Sequence, residues 1–580
     1  MWFPDLTRTG VNRDTAFVAL AWAELFGDRT PDTYQIKLND TLSLVVELGE
    51  VAEQAAADQR WVGHLPYVID ELKAEADADP ILNSHFPHLS YAINQLDRGA
   101  SHARVRRLVA VSHSELHEYG PRVADYFRES IRLLPREKER ALDAIRRLAT
   151  RSLQQGSTPD ECRRCVDESS LLLSPDEAGQ QILDRLVERQ QPWVCIIGVA
   201  GDPADVETLI NGTGFKPLPN KRKPLGKLGT EFIEKAGGGF LAVCDLEASG
   251  YAEAMQKALQ PLRTVLDVAN FNHRSAPFRI IPTAYLESEG NQYVVALDSH
   301  PYGGLEPQRN ATRSAARAQR DGALSRLPDR ILTALEQHSL AHTSSDPKVR
   351  FVNLWVALET LIGHARGESV IDHMVSSVVP LIIHRRLHKV ITYLAISLHE
   401  FGFCNSVPDT TGWFRNSNSY EVKREELLLA LTGAAGARVH DELAALTATH
   451  PLLCNRLFTA HKAVATPASL AQALRASEKR TEWQLRRIYR ARNLLVHAGV
   501  SLPVLPHLMA NLEYYYSLIL ARLLHDFYRN ESWTITKSFE YRRIMFGFLL
   551  RLLDGEPAKV KVKDVLQLNS GPLGEEPLWP

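Results

Sequence analysis

The sequence predicts a mainly α-helical protein with three folded regions: a helical domain at 1–190, a small α/β domain at 191–305 and a second helical region at 327–555. In the first and third regions, apolar residues recur every three or four positions, the period of an amphipathic helix. Short β-rich runs replace this pattern only in the middle region. At 580 residues, the chain also exceeds the size of a single hydrophobic core.

Each region has its own sequence character. The N-terminal region contains charged helical turns such as "LPREKERALDAIRRLATRSL". The central region alternates the apolar runs "QPWVCIIGVAG", "FLAVCDL" and "FRIIPTAYLES" with the helical "YAEAMQKALQPLRTVLDVANF", which is typical of an α/β domain. A polar linker is expected at 306–326. A mobile tail is expected at 556–580, where Gly, Pro and acidic residues follow no period.

Composition excludes several classes of protein. The net charge of -2 creates no overall positive field for nucleic acid or an anionic membrane, so any such binding must come from a local patch. Six cysteines do not form a disulfide framework, and the start "MWFPDLTRTG" lacks the features of a secretion signal, so a cytoplasmic location is expected. The longest apolar stretches are shorter than a membrane span.

No metal or cofactor site is predicted. The CxxC in "ECRRC" has no second pair at zinc-finger spacing, so a structural pair of cysteines is favoured. The pairs His113/His117 and His384/His388 have the i,i+4 spacing of helical zinc sites, but neither has the glutamate of an HExxH motif. We interpret these histidines as solvated or capping residues. Phosphate-loop and nucleophile-elbow motifs are also missing from the sequence.

The segment "RIYRARNLLVHAG" combines a helical pattern with a misplaced charge. At about 100° per residue, a helix has an apolar stripe made of Leu485, Ile488, Tyr489, Leu495 and Val496. Its polar stripe consists of Arg486, Arg490, Asn493 and His497. Arg492 falls on the apolar stripe. Since an unpaired guanidinium in a core costs several kcal/mol, Arg492 requires an anionic partner or a polar site.

Glu359 is the predicted partner of Arg492. It lies on the core-facing side of "FVNLWVALETLIGHARG", four residues after Trp355 and three before Ile362. We predict that Glu359 and Arg492 meet, and that Glu359→Ala destabilises the helical region by about 3 kcal/mol. A buried structural salt bridge would explain these two residues equally well.

The histidine that ends the segment suggests chemistry. His497 precedes Gly499, a predicted C-terminal cap, and the negative end of the helix dipole favours a protonated imidazole there. Both protonation states are therefore expected near neutral pH. An arginine for a phosphate, a titratable imidazole and the amide of Asn493 are the groups needed to cleave RNA without metal. The imidazole would exchange protons with the ribose 2′-hydroxyl or the leaving oxygen.

These residues carry a resemblance to a known family. The sequence "RNLLVH" (Arg492, Asn493 and His497) resembles the R-x(4–6)-H motif of ribonucleases of the HEPN superfamily. The upstream "LWVALETLIG", which contains Glu359, resembles the tryptophan/glutamate helix of the ApeA-like HEPN branch of anti-phage proteins. The resemblance covers about 327–555. It implies an all-α HEPN-like bundle, usually dimeric, in which motifs from two protomers form one metal-independent endoribonuclease site.

The spacing of this motif also occurs elsewhere, at Arg456/His461 and, more loosely, at Arg107/His113 and Arg366/His373. Arg492 is favoured because an asparagine follows it, its histidine ends a helix, and the long apolar helix "LPHLMANLEYYYSLILARLLHDFY" comes next. In one respect the chain departs from the family pattern. An excursion at about 401–479 separates the glutamate helix from the motif helix.

The leading hypothesis is a toxin-like endoribonuclease effector of antiviral defence that acts as a homodimer on RNA, with tRNA as one candidate substrate. Residues 1–325 would sense a phage-derived or small-molecule trigger or select the RNA. Further RNA contacts are expected from basic residues of the motif helix and of the loop "FKPLPNKRKPLGK", namely Arg486, Arg490, Lys221, Arg222 and Lys223. The alternative is a non-catalytic HEPN module for dimerisation, protein interaction or nucleotide binding.

Overall fold

The computed structural model describes residues 10–26, 39–186, 191–296, 327–400, 424–432, 450–498, 505–529 and 533–555, with short gaps inside these ranges. The predicted linker at 306–326 and tail at 556–580 lie outside the described residues. The chain divides into two compact units. The helical unit comprises Met1–Gln154, Val166–Ile182 and Leu305–Pro580, and the sheet unit comprises Gln155–Cys165 and Leu183–Gly304.

The N-terminal helices begin at polar caps. The side chains of Asn12, Asp40 and Asp79 accept backbone N–H groups at the starts of the first, second and fourth helices. The α-helices before the sheet are α1 (Arg13–Leu25), α2 (Thr41–Ala57), α3 (Leu65–Asp77), α4 (Pro80–His85), α5 (Pro87–Asn94), α6 (His102–Glu115), α7 (Tyr119–Arg132), α8 (Lys138–Gln154), α9 (Pro159–Arg163) and α10 (Pro175–Leu186). Short 3₁₀ helices lie at Gln59–His64, Leu116–Glu118 and Glu168–Leu172.

The sheet unit contains a five-stranded sheet in the order β2-β3-β1-β4-β5, in which every pairing is antiparallel. Alternate residues of β1 enter two cores: Cys195 and Ile197 pack with α13, whereas Ile196 packs with Phe232 of α12. The elements are β1 (Gln191–Ala200), α11 (Pro203–Ile210), β2 (Lys216–Pro217), α12 (Lys227–Lys235), β3 (Phe240–Ala248), α13 (Tyr251–Phe271), β4 (Arg279–Ser288) and β5 (Asn291–Ala296).

The C-terminal helices share one hydrophobic core around Trp355, Leu358 and Tyr516. They are α14 (Asp329–Thr343), α15 (Pro347–Ile362), α16 (Val370–His384), α17 (Arg386–Glu400), α18 (Arg424–Leu431), α19 (Pro451–Val464), α20 (Pro467–Asn493), α21 (Leu505–Arg529) and α22 (Ile535–Gly555). The longest, α20, starts at a capping box between Thr466 and Ser469 and carries the motif segment at its end. A π-helical turn follows at Leu494–Ala498.

The N-terminal and C-terminal helices of the helical unit pack on each other. Buried α1 contacts α8 and α19, and its Glu24 accepts hydrogen bonds from Arg456 of α19 and the hydroxyl of Tyr393 on α17. Carboxylates of α2 and α3 pair in the same way with arginines of α20. Two regions that the sequence analysis treats as separate domains therefore contribute to one compact unit.

The expected fold class is confirmed at the level of a mainly helical protein with a small central sheet, and the sheet proves to be antiparallel throughout. The pairing of β1 with β3 is continuous in register, as in Cys195 opposite Cys244, whereas the pairing of β1 with β4 shifts between Ile197 and Val199. Within the described ranges, no helix combines the length and the apolar character needed to cross a membrane.

Candidate functional site at the end of α20

Three predicted site residues lie together where α20 ends. Arg492 and Asn493 are half-buried in the last turn of the α-helix, and His497 is exposed in the π-helical turn that follows. Nη1 of Arg492 donates a hydrogen bond of 3.0 Å to Oδ1 of Asn493. The amide of Asn493 thus holds the guanidinium of Arg492.

The π-helical turn affects the spacing of the motif. In an α-helix, residues five apart point about 140° away from each other, so Arg492 and His497 would face different sides. A π-helical turn closes hydrogen bonds from i to i+5 and holds more residues per turn. A residue five positions along therefore returns closer to the same side. Single π turns of this kind are frequent at functional sites.

The predicted ion pair between Glu359 and Arg492 is absent. Glu359 is half-buried, and its Oε2 accepts a 3.0 Å hydrogen bond from Nε1 of Trp355, one turn earlier on α15. The ring of Trp355 packs 5.6 Å from the ring of Tyr489, so α15 and α20 do meet, but through aromatic side chains. Within the described ranges, no carboxylate lies within 4.0 Å of the Arg492 guanidinium.

Three other arginines of α20 occupy the buried positions. Arg486, Arg487 and Arg490 are 4%, 5% and 3% exposed, respectively. Arg487 bridges two carboxylates, with Nε 2.9 Å from Glu47 of α2 and Nη2 2.6 Å from Glu71 of α3. Arg490 also donates to Glu47. We call this set, Glu47, Glu71, Arg487 and Arg490, the buried charge cluster.

Arg486 is held beside the buried charge cluster by separate partners. Its guanidinium carbon lies 3.4 Å from the centroid of the Tyr67 ring, and its nitrogens donate to Glu482 at 3.0 Å and Asp372 at 2.8 Å. Arg486 and Arg490, which the sequence analysis proposes as RNA contacts, are therefore engaged by protein side chains in this structure. In α20 alone their stripe resembles a solvent-facing surface, because two of its acidic partners, Asp372 and Glu47, come from other helices.

Burial and charge act in opposite directions on the two glutamates of the cluster. Burial alone would raise the pKa of the Glu47 carboxyl, but the charges and hydrogen bonds of Arg487 and Arg490 outweigh it and lower the pKa to about 2. Burial of Glu71 dominates over the single bridging Arg487, so the pKa of Glu71 is raised. Glu47 is thus the carboxylate that compensates the buried arginines.

A short N-terminal segment lies beside the motif. The ring of His64, at the end of the Gln59–His64 3₁₀ helix, packs 5.8 Å from the ring of Tyr489. Burial, together with the charges of Arg490 and Arg486, lowers the pKa of His64 to about 4. Hydrogen bonds from Arg60 lower the pKa of the Asp58 carboxyl, and the charge of His497 lowers it further. Asp58 is therefore a carboxylate near the exposed imidazole.

The competing motif at Arg456/His461 has a different environment. Arg456 is 9% exposed and its Nε lies 2.9 Å from Oε2 of Glu24, so its charge is neutralised inside the helical unit. His461 Nδ1 contacts the backbone carbonyl of Leu431 at 2.5 Å. These contacts indicate structural roles for Arg456 and His461. By contrast, Arg492 has no described carboxylate partner, and His497 is exposed.

Other predicted residues give less information. Lys221, Arg222 and Lys223 of the basic loop lie outside the described residues. Cys162 and Cys165 are buried, and burial raises the pKa of both thiols, that of Cys165 to about 12. Buried neutral thiols agree with a structural pair of cysteines.

Sequence reasoning missed the residues of α2, α3 and the segment between them. Glu47 is 440 positions away from Arg487 in the chain, and Glu71 is 416 away. A surplus of arginines over acids near the end of α20 was the available signal, since buried guanidinium groups require carboxylates from elsewhere.

Comparison with known proteins adds no further constraint: no protein family, curated protein or solved structure was found to match the chain.

Proposed function

We propose that the protein is a metal-independent endoribonuclease of the HEPN type, with Arg492, Asn493 and His497 as its reacting groups. The observation that carries the proposal is the contrast within α20. Neighbouring arginines are paired with carboxylates, but Arg492 has only the Asn493 amide as a described hydrogen-bond partner, and the imidazole of His497, five residues later, is exposed. An uncompensated guanidinium favours a phosphate ligand, because it presents several donors in a fixed fork.

The chemistry follows from these groups. The ribose 2′-oxygen attacks the adjacent phosphorus, and the bond from phosphorus to the 5′-oxygen breaks. An imidazole accepts the 2′-hydroxyl proton, and a protonated imidazole donates one to the leaving 5′-oxygen. Arg492 stabilises the charge on the phosphoryl oxygens. The products are a 2′,3′-cyclic phosphate and a 5′-hydroxyl.

One imidazole cannot hold both protonation states at once, so the mechanism favours a homodimer that places two copies of His497 at one phosphate. The exposure of His497 leaves it accessible to a second copy. Glu359 supports the site through Trp355 rather than by touching Arg492. It is therefore a positioning residue in this proposal, and the toxin-like role in antiviral defence rests on the same site.

The test is cleavage of tRNA and mRNA by the purified protein, together with the growth of cells that express it. We expect cleavage by the wild type and a loss of both cleavage and toxicity in His497→Ala. The matched control is His461→Gln, in the segment with the same spacing, which should cleave normally. If the wild type and His497→Ala degrade RNA equally, or if His461→Gln is the variant that fails, the proposed site is wrong.

A further inference from the structure

A third pair of histidines at i,i+4 spacing, His338 and His342, lies on α14. His338 and His342 point toward Glu513 of α21, and one ligand atom from each of the three side chains lies within 4.8 Å of the other two. The two Nε2 atoms are 3.1 Å apart, and Nε2 of His342 is 3.2 Å from Oε1 of Glu513.

These separations fit a metal ion. Zinc binds histidine nitrogen and carboxylate oxygen at about 2.0–2.2 Å in tetrahedral geometry, which places neighbouring ligand atoms about 3.3 Å apart. Two of the three separations, 3.1 and 3.2 Å, are close to this value. The third, between His338 and Glu513, lies within 4.8 Å, so a rotation of the Glu513 side chain would bring all three ligands to one ion. We infer that His338, His342 and Glu513 bind a divalent transition-metal ion of the Zn²⁺ class. A water completes the set on the open side, where the His342 side chain is 38% exposed.

The surroundings prepare His338 to be a ligand. Its ring stacks on Tyr516 with centroids 4.6 Å apart, and the Tyr516 hydroxyl is fixed by donating to the carbonyl of Ala334. Glu513, 9% exposed, supplies negative charge.

Arg350 acts against the metal. Its Nη2 lies 3.1 Å from Nδ1 of His342. Because a guanidinium only donates, Nδ1 must accept, and the hydrogen of a neutral ring then sits on Nε2. A metal on Nε2 requires the hydrogen on Nδ1, so binding must displace the contact with Arg350. Glutamine at position 350 offers an oxygen that can accept from Nδ1–H, as outer-sphere partners of zinc histidines do.

The bound ion would fasten α14 to α21 and take no part in the RNA cleavage proposed for α20. The experiment is a titration of the chelator-treated full-length protein with Co²⁺, which gives visible absorption in tetrahedral sites, followed by displacement with Zn²⁺. We expect one equivalent of saturable binding by the wild type. His338→Gln and His342→Gln should lose it, and His85→Gln, an exposed histidine elsewhere, should keep it.

A variant that is expected to strengthen metal binding makes the test stricter. Arg350→Gln should bind Co²⁺ about tenfold more tightly than the wild type, because outer-sphere hydrogen-bond partners change metal affinity by about this factor. If His338→Gln does not fold, the more exposed His342→Gln decides the question. Absence of saturable binding by the wild type, or full binding by His342→Gln, would overturn the inference. The readout is metal binding, so its result is independent of RNA cleavage.

Discussion

Two groups of charged side chains on the last turns of α20 have opposite environments. Arg486, Arg487 and Arg490 are buried, and carboxylates from α2, α3, α16 and α20 itself receive their hydrogen bonds. Two residues after Arg490, Arg492 donates to a neutral amide, and His497 is exposed in the π-helical turn that follows. Similar residues thus serve two purposes. A guanidinium whose charge is compensated inside the protein holds helices together, whereas an uncompensated one is available to an external anion.

The largest effect is expected in the buried charge cluster. Glu47→Ala should lower the free energy of unfolding by about 3 to 5 kcal/mol, because it leaves Arg487 and Arg490 buried without their main carboxylate. Denaturant unfolding of the wild type and the variant measures this difference. The matched control is Glu53→Ala on the same helix, whose exposed side chain should change the value by less than about 1 kcal/mol. Equal effects in both variants would show that the cluster does not stabilise the helical unit.

Substitution of Arg492 should affect RNA cleavage much more than stability. Arg492→Ala should change the free energy of unfolding by less than about 1 kcal/mol, since no buried carboxylate loses its partner. Cleavage of RNA should nevertheless fall by about 10²- to 10³-fold, as when one charge-stabilising donor is removed from an active site. Arg492→Lys, which keeps the charge but loses the fork, should retain an intermediate rate. Strong destabilisation by Arg492→Ala would place this residue with the structural arginines.

The pH dependence of stability should report on His64. Its pKa is lowered from 6.5 to about 4 in the folded protein, so the unfolded chain binds a proton first on acidification. The stabilisation is fully present above pH 6.5 and is lost as the pH falls toward 4, by at most about 3 kcal/mol at 1.36 kcal/mol per pH unit. Unfolding of His64→Gln between these pH values should show a shallower dependence than the wild type.

The smallest effect is expected at Glu359. Because its carboxylate accepts one hydrogen bond from Trp355 and has no ion pair with Arg492, Glu359→Ala should destabilise by about 1 kcal/mol. This replaces the value of about 3 kcal/mol expected from the sequence. Glu359→Gln retains an acceptor for the indole N–H and should be nearly neutral in thermal unfolding. A loss of about 3 kcal/mol or more would indicate that Glu359 forms an ion pair with Arg492 after all.

The difference between the two groups also explains what the sequence could predict. Helical periodicity identifies α20 and its end, because the pattern is local to the helix. The buried residues Leu485 and Ile488 follow the predicted apolar stripe. The stripe of Arg486 and Arg490 reads as solvent-facing because the helix alone does not show that α2 and α3 cover it. Tertiary contacts between residues more than 400 positions apart leave no periodic signal.

The π-helical turn and the antiparallel sheet were likewise beyond sequence reasoning. Spacing alone leaves Arg492 and Arg456 equivalent, since both precede a histidine by five residues. The structure separates them by their partners: Glu24 pairs with Arg456, and Asn493 with Arg492. The distinction between an arginine that pairs with a carboxylate and one that does not therefore depends on the long-range packing of the helical unit.

The most direct measurement is sequencing of RNA ends from cells that express the wild type or His497→Ala at equal levels. Attack by a 2′-hydroxyl leaves 2′,3′-cyclic phosphate ends, which are captured selectively by ligation. The account predicts new cyclic-phosphate ends at defined positions with the wild type and none above background with His497→Ala. The same new ends in both, or new ends carrying 3′-hydroxyls, would contradict it.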